Sequence, residues 1–186
     1  MKKFVSSLLV VASLSIVQAQ IALLPLGTYA TGVYDESAAE IPTYDPQTQR
    51  LFVVNANSAT VDILDVSDPI NPTLFMSFDA TEYGDTANSV AIHEGTIAIA
   101  IEAETSQDPG TVVFIDADGN FLGQIEVGAL PDMLTFNHDG TLLLVANEGE
   151  PDDEYTVDPE GSISVIDMRE GVEGATALTA DFTEIG

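Results

Sequence analysis

Short apolar runs alternate along this chain with clusters of Asp, Gly, Pro and Asn, and one run occurs three times. Residues 61–66, 112–117 and 163–168 are aliphatic stretches that lead into an aspartate, Asp65, Asp116 and Asp167, spaced 51 residues apart. Upstream of each lies a more continuously apolar run, 51–55, 97–102 and 143–147. Before these stands another strand-like segment with a turn: 41–44 with Asp45-Pro46, 89–92 with Glu94-Gly95, and 133–136 with Asp139-Gly140. Gly supplies positive φ and Pro presets the bend, so such pairs close hairpins. A last run follows each copy, at 73–78, 121–127 and 177–182. Each repeat reads as four consecutive strands, A to D. Beyond the N-terminus no stretch sustains a 3.6-residue apolar period. A strand-rich repeat near 50 residues predicts an all-β fold, a β-propeller with one four-stranded antiparallel blade per repeat. The blades are expected at about 39–80, 87–128 and 131–182.

Residues 1–19 follow a different rule. Lys2 and Lys3 precede an apolar stretch from Phe4 to Val17, and Val17-Gln18-Ala19 has the small residues of a signal-peptide cleavage site. The stretch is short for a mature membrane span. The chain is expected to be exported, to the periplasm, the cell surface or the medium. Residues 20–38 are a lead-in, within which 21–29 read as one more strand without a blade of its own. In many propellers such a strand completes the last blade. Rings hold roughly four to eight blades, so three repeats make only an arc. The chain reads as the N-terminal part of a larger protein whose remaining blades are an expected partner.

Charge narrows the partners further. Four basic and 31 acidic residues give a formal charge of −27, and Lys2 and Lys3 belong to the leader. Arg50 and Arg169 are the basic residues that remain. Repulsion excludes nucleic-acid phosphate and anionic membrane surfaces. Cations, or simple solubility, suit such a surface. The absence of cysteine removes a disulfide, a thiol nucleophile and a Cys-ligated metal.

Comparing the repeats locates candidate chemistry. Glu40, Asn88 and Asp132 fall together just before strand A, and Asn55, Glu102 and Asn147 at the end of strand B. Antiparallel A and B bring those ends to one edge of the blade. All six are expected to rim the central channel and to offer oxygens of the kind Ca²⁺ takes. The plainer role for such residues is to cap strand ends. The B-to-C loop of the third repeat opens on the same face and holds seven carboxylates in thirteen positions. Crowded carboxylates repel unless a cation separates them. Glu148, Glu150, Asp152, Asp153, Asp158 and Glu160 are the candidate ligands of a divalent cation, Ca²⁺ before Mg²⁺ because the loop is flexible. The alternative is a solvated acidic loop. The stretch from Asp116 to Asn120 fails as an EF-hand, since its Gly comes two positions early and no Glu closes the loop. It reads instead as a C-to-D turn. His93 and His138 fall on A-to-B turns, at the far face from the acidic rim. No nucleophile elbow, zinc-protease or phosphate-loop motif occurs.

Several stretches resemble the choice-of-anchor I family: 26–32, 38–41, Tyr44-Asp45-Pro46 followed by 50–55, and Asn147-Glu148-Gly149-Glu150-Pro151 followed by 158–162. The resemblance runs from about Leu26 to Met168 and is most specific in the Asn-Glu-Gly-Glu-Pro stretch. It implies an exported bacterial β-propeller, larger than three blades, with a variable C-terminal surface anchor. The leading reading is a non-catalytic propeller segment, a calcium-stabilised binding or scaffold module of the cell envelope. The other is part of a metal-dependent phosphoesterase, for which the segment lacks a base, a nucleophile and a cationic clamp.

Overall fold

The computed structural model describes residues 22–182, so the expected leader lies outside the described residues. The chain forms three four-stranded antiparallel sheets, each a simple meander. Blade one contains β1 (Pro42–Asp45), β2 (Arg50–Asn55), β3 (Thr60–Asp65) and β4 (Thr73–Asp79). Blade two contains β5 (Ala87–His93), β6 (Thr96–Ile101), β7 (Pro109–Asp116) and β8 (Phe121–Ala129). Blade three contains β9 (Pro131–Phe136), β10 (Leu142–Asn147), β11 (Ser162–Asp167) and β12 (Thr176–Ala180). Among the described residues, helix is confined to the short 3₁₀ turns Ala56–Ser58, Ala80–Glu82 and Val172–Gly174. The three repeated stretches occupy the third strand of each blade, as the period predicts.

The aspartate that ends each stretch has a structural cause. Asp65 Oδ1 accepts the Ser67 amide, Asp116 Oδ1 those of Asp118 and Asn120, and Asp167 Oδ1 that of Arg169. Each carboxylate folds the chain into the C-to-D turn, as Asx side chains do.

The core lies between blades. Alternation along a strand sends successive side chains to opposite faces. One face of blade one, with Phe52, Val54, Val61, Ile63 and Phe78, packs on the Ile97, Ile99, Ile101, Val113 and Ile115 face of blade two. The other face of blade two, with Ala98, Ala100, Val112, Phe114 and Val127, packs on Leu143, Val145 and Ile166 of blade three. Both faces of β6 are buried, which explains its unbroken apolar run.

Two expectations need correction. The strand foreseen at 21–29 is not formed across its described part, 22–29, which makes no ladder hydrogen bond. These residues pass the Pro69-Ile70 backbone at Gly27 and the Val53–Leu64 side of blade one at Tyr29 without joining a ladder, and Leu23, Leu24 and Leu26 stay exposed. The alignment of strand B ends is also off by one in blade two. Asn55 lies opposite Thr60 and Asn147 opposite Ser162, but the position opposite Thr111 is held by Ile101, not Glu102. The β5–β6 turn is the two-residue Glu94-Gly95, against four residues between Asp45 and Arg50, and this moves the register.

Candidate functional site

Three inner strands, β1, β5 and β9, wall a cavity of about 520 Å³. It is the channel side of the arc. Glu40, Asn88 and Asp132 all line it, at one end, and His93 and Asn137 line the other. Backbone irregularity presents the first three. Asn88 is the extra residue between Ala87 and Ser89 where β5 slips against β6, and Asp132 the extra residue between Pro131 and Met133 where β9 slips against β10. A bulge turns one side chain out of the ladder and re-aims it. Glu40 stands at the matching position ahead of β1, its amide bonded to the Val54 carbonyl.

Glu102 joins this rim although its register differs. The Asn88 amide donates to Glu102 Oε2 at 3.2 Å and to the Pro131 carbonyl at 3.3 Å, tying blade two to blade three. Burial raises the Glu102 carboxyl above its ordinary range; the Asn88 bond opposes the rise, while the charges of Asp85 and Glu150 add to it. Asp85 was not singled out in the sequence. It reaches Glu102 because the Asp85 amide bonds the Glu102 carbonyl, continuing the β5–β6 pairing past the bulge.

Asn55 and Asn147 do not face the channel. The Asn147 amide donates to Ser162 Oγ at 3.1 Å and Ser164 Oγ at 2.9 Å, buried against blade two. A Cβ at Gly128 would come within 2.7 Å of it, so this crossing requires glycine. The Asn55 amide donates to Asp62 Oδ2 at 3.1 Å. Both asparagines bind strand B to strand C, the structural role anticipated as the plainer one.

The acidic loop joins β10 to β11. Gly149 approaches Pro159 and Glu160 closely and Gly161 approaches Glu148, so the two ends of the loop are pinched together. Asp152 is occupied within it: Oδ1 accepts the Thr156 amide at 2.7 Å and Oδ2 the Thr156 hydroxyl at 2.6 Å. Those bonds hold the Asp152 carboxyl below its ordinary value. Glu148, Glu150, Asp153, Asp158 and Glu160 are exposed. Among the described residues, no three acidic or histidine side chains converge closely enough to hold a metal ion.

Arg50 is committed to structure. Its guanidinium bonds the Ala117 carbonyl and Asp118, and lies 3.8 Å from the centre of the Phe75 ring. Arg169 pairs with Asp167. His93 packs on Phe136, ring centres 5.8 Å apart, and against Gly140.

Residues 40–186 match the family model described as the choice-of-anchor I domain. No curated protein matches the chain in sequence. Among solved structures, a hypothetical selenium-binding protein from Sulfolobus tokodaii aligns with TM-score 0.60 at 16% identity, over 81% of this chain and 40% of that one. A luciferin-regenerating enzyme aligns with TM-score 0.53 at 14% identity, over 75% of this chain and 47% of that one. A functionally unknown protein from Desulfotomaculum acetoxidans gives 0.52 at 16% identity, over 80% and 50%. At such identities the likeness concerns the fold, and the chain spans half or less of these relatives' length.

Proposed function

This chain belongs to the choice-of-anchor I family, and from that membership we propose that it serves as an exported, non-catalytic propeller module of the cell envelope that binds through its channel face. The observation that carries this reading is the presentation of Glu40, Asn88 and Asp132, one residue from each blade, around a single cavity. Repetition of one position in three blades is what an axial binding surface requires. In this reading the three blades belong to a larger ring.

Calcium enters this reading as a stabilising ligand of the acidic loop between β10 and β11. The exposed carboxylates Glu148, Glu150, Asp153, Asp158 and Glu160 are its candidate ligands, on a loop whose ends are pinched together. Asp152 supports them by folding the loop rather than by reaching the ion. A cation that binds only the native state raises stability by mass action. The test is thermal unfolding with millimolar Ca²⁺, with chelator, and with NaCl at matched ionic strength. A Ca²⁺-specific rise that disappears in Asp153→Asn/Asp158→Asn supports the site. Equal rises with both salts reduce the loop to a screened acidic surface.

A further inference from the structure

The outermost strands of the three blades, β4, β8 and β12, each end a sheet, so one side of each has no strand beside it among the described residues. An open edge offers a row of N–H and C=O groups to any extended chain, and proteins blunt it with bulges, charges or a covering segment. Blades one and two do so. In β4, Phe75 is the extra residue between Leu74 and Met76, and the Arg50 guanidinium lies over its ring. In β8, Leu122 is the extra residue between Phe121 and Gly123, and a second slip falls between Glu126 and Ala129. Glu126 also puts a charge within that strand, and Val172 packs at Gly123.

Strand β12 has none of these devices. Its residues, Thr176-Ala177-Leu178-Thr179-Ala180, pair with Asp167 back to Ile163 one for one, without a slip. They include no charge, proline or glycine, and all but Ala177 are exposed, Leu178 at 74%. The charges stand outside the strand instead. Exposed Glu170 and Glu173 precede it and exposed Asp181 follows it. A hollow at its first residue is lined by Asp167, Arg169, Glu170, Gly174 and Thr176. Arg169 is held there by Asp167, so the two glutamates leave the local balance negative. Antiparallel pairing of β12 with a second copy about Leu178 would bring Asp181 of each towards Glu173 of the other, acid to acid, and like charges across a strand pair are unfavourable. The same flanks complement a strand with basic ends.

We propose that the open edge of β12 is a docking site for an extended segment of another protein, uncharged and β-prone along its length with Lys or Arg at its ends, which adds a further strand to blade three. Backbone bonds to the edge supply affinity, and alternate side chains of the added strand supply selectivity. Leu178 offers the apolar cross-strand contact. The carboxylates at both ends of β12 set the sign of charge the partner carries. The edge lies at the opposite side of blade three from β9, which walls the channel cavity. It therefore needs neither the channel nor the acidic loop, and goes beyond the function proposed for them.

The experiment uses the purified, full natural polypeptide and a set of synthetic peptides: alternating Thr and Val closed by Lys at each end, the same core closed by Glu, and the Lys-ended peptide with a central Pro. Binding is read by fluorescence anisotropy and located by backbone hydrogen exchange. The Lys-ended peptide is expected to bind and to slow exchange at residues 176–180, while the other peptides do neither. Leu178→Lys, at an exposed position, is expected to weaken that binding about tenfold by setting a charge against the uncharged core of the peptide. Equal binding of the Lys-ended and Pro-containing peptides would reduce the effect to charge attraction by an acidic protein and overturn the proposal. Protection at β4, β8 or the acidic loop, unchanged binding by Leu178→Lys, or no binding would overturn it as well. Protection of 176–180 that rises with protein concentration in the absence of peptide would assign the edge to a second copy instead.

Discussion

Single aspartates do most of the local shaping in this chain. Asp65, Asp116 and Asp167 each fold a C-to-D turn, and their carboxyls are held below the ordinary value. For Asp167 the bonds and charge of Arg169 take the value to about 2. A depressed carboxyl contributes stability that is present above the unfolded pKa and lost as pH falls through the folded one. Asp167 is therefore expected to titrate near 2, its contribution fading between about pH 4 and pH 2. Carboxyl ¹³C shifts against pH will show this, and an Asp167 midpoint near 4 would contradict it. Glu102 has the opposite sign. Its raised pKa means that ionisation is disfavoured in the fold, so its contribution is lost as pH rises. Glu102→Gln is expected to raise the unfolding midpoint at pH 7 by about 1–2 °C and to do nothing at pH 3. The repeated aspartate was visible in the sequence as a period, and at Asp116 the C-to-D turn was legible as well; for Asp65 and Asp167 the role was not, because an Asx turn and a metal ligand use the same side chain. Asn55 and Asn147 show the same ambiguity resolved by direction. Strand-end position was legible, whereas the face on which each amide fell depended on register.

At the level of strands and turns, twelve strands in three meanders could be read directly, because alternation and Asp-Gly or Asp-Pro punctuation are local signals. The one-residue slip at Glu102 came from a turn shorter by two residues. Bulges at Asn88 and Asp132 leave no signal in a hydrophobic pattern. Contacts between blades are less legible still. Arg50 opens β2 yet clasps the C-to-D turn of blade two and stacks on Phe75. Arg50→Ala is expected to cost about 1–2 kcal/mol in chemical denaturation. Arg50→Lys should recover only part of that, since an ammonium cannot reproduce the planar fork; full recovery would show that charge alone matters. Gly140 is constrained twice, by φ +69° and by the His93 ring, which a Cβ there would overlap. Gly140→Ala is expected to destabilise by about 2–3 kcal/mol through strain and overpacking, a loss that His93→Ala in the same chain should partly relieve.

Across the whole molecule, the arc buries its inner interfaces and leaves its two end faces without a neighbouring blade. Leu144 and Leu178 on blade three are 36% and 74% exposed. Residues 20–186 produced alone are expected to self-associate through such surfaces despite their negative charge. Sedimentation velocity would detect this, and a monodisperse monomer would contradict it. The proposed function rests on the channel cavity, lined by the three rim positions, and on the separate acidic loop between β10 and β11. The most direct test is a Ca²⁺ titration of the ¹³C-labelled natural polypeptide followed at its side-chain carboxyl signals, with NaCl at equal ionic strength as reference. The account predicts saturable, Ca²⁺-specific shifts at Glu148, Glu150, Asp153, Asp158 and Glu160, with Asp152 nearly unmoved because Thr156 already holds both of its oxygens. Small linear drifts, the same in Ca²⁺ and Na⁺ and spread over every exposed carboxylate, would contradict it.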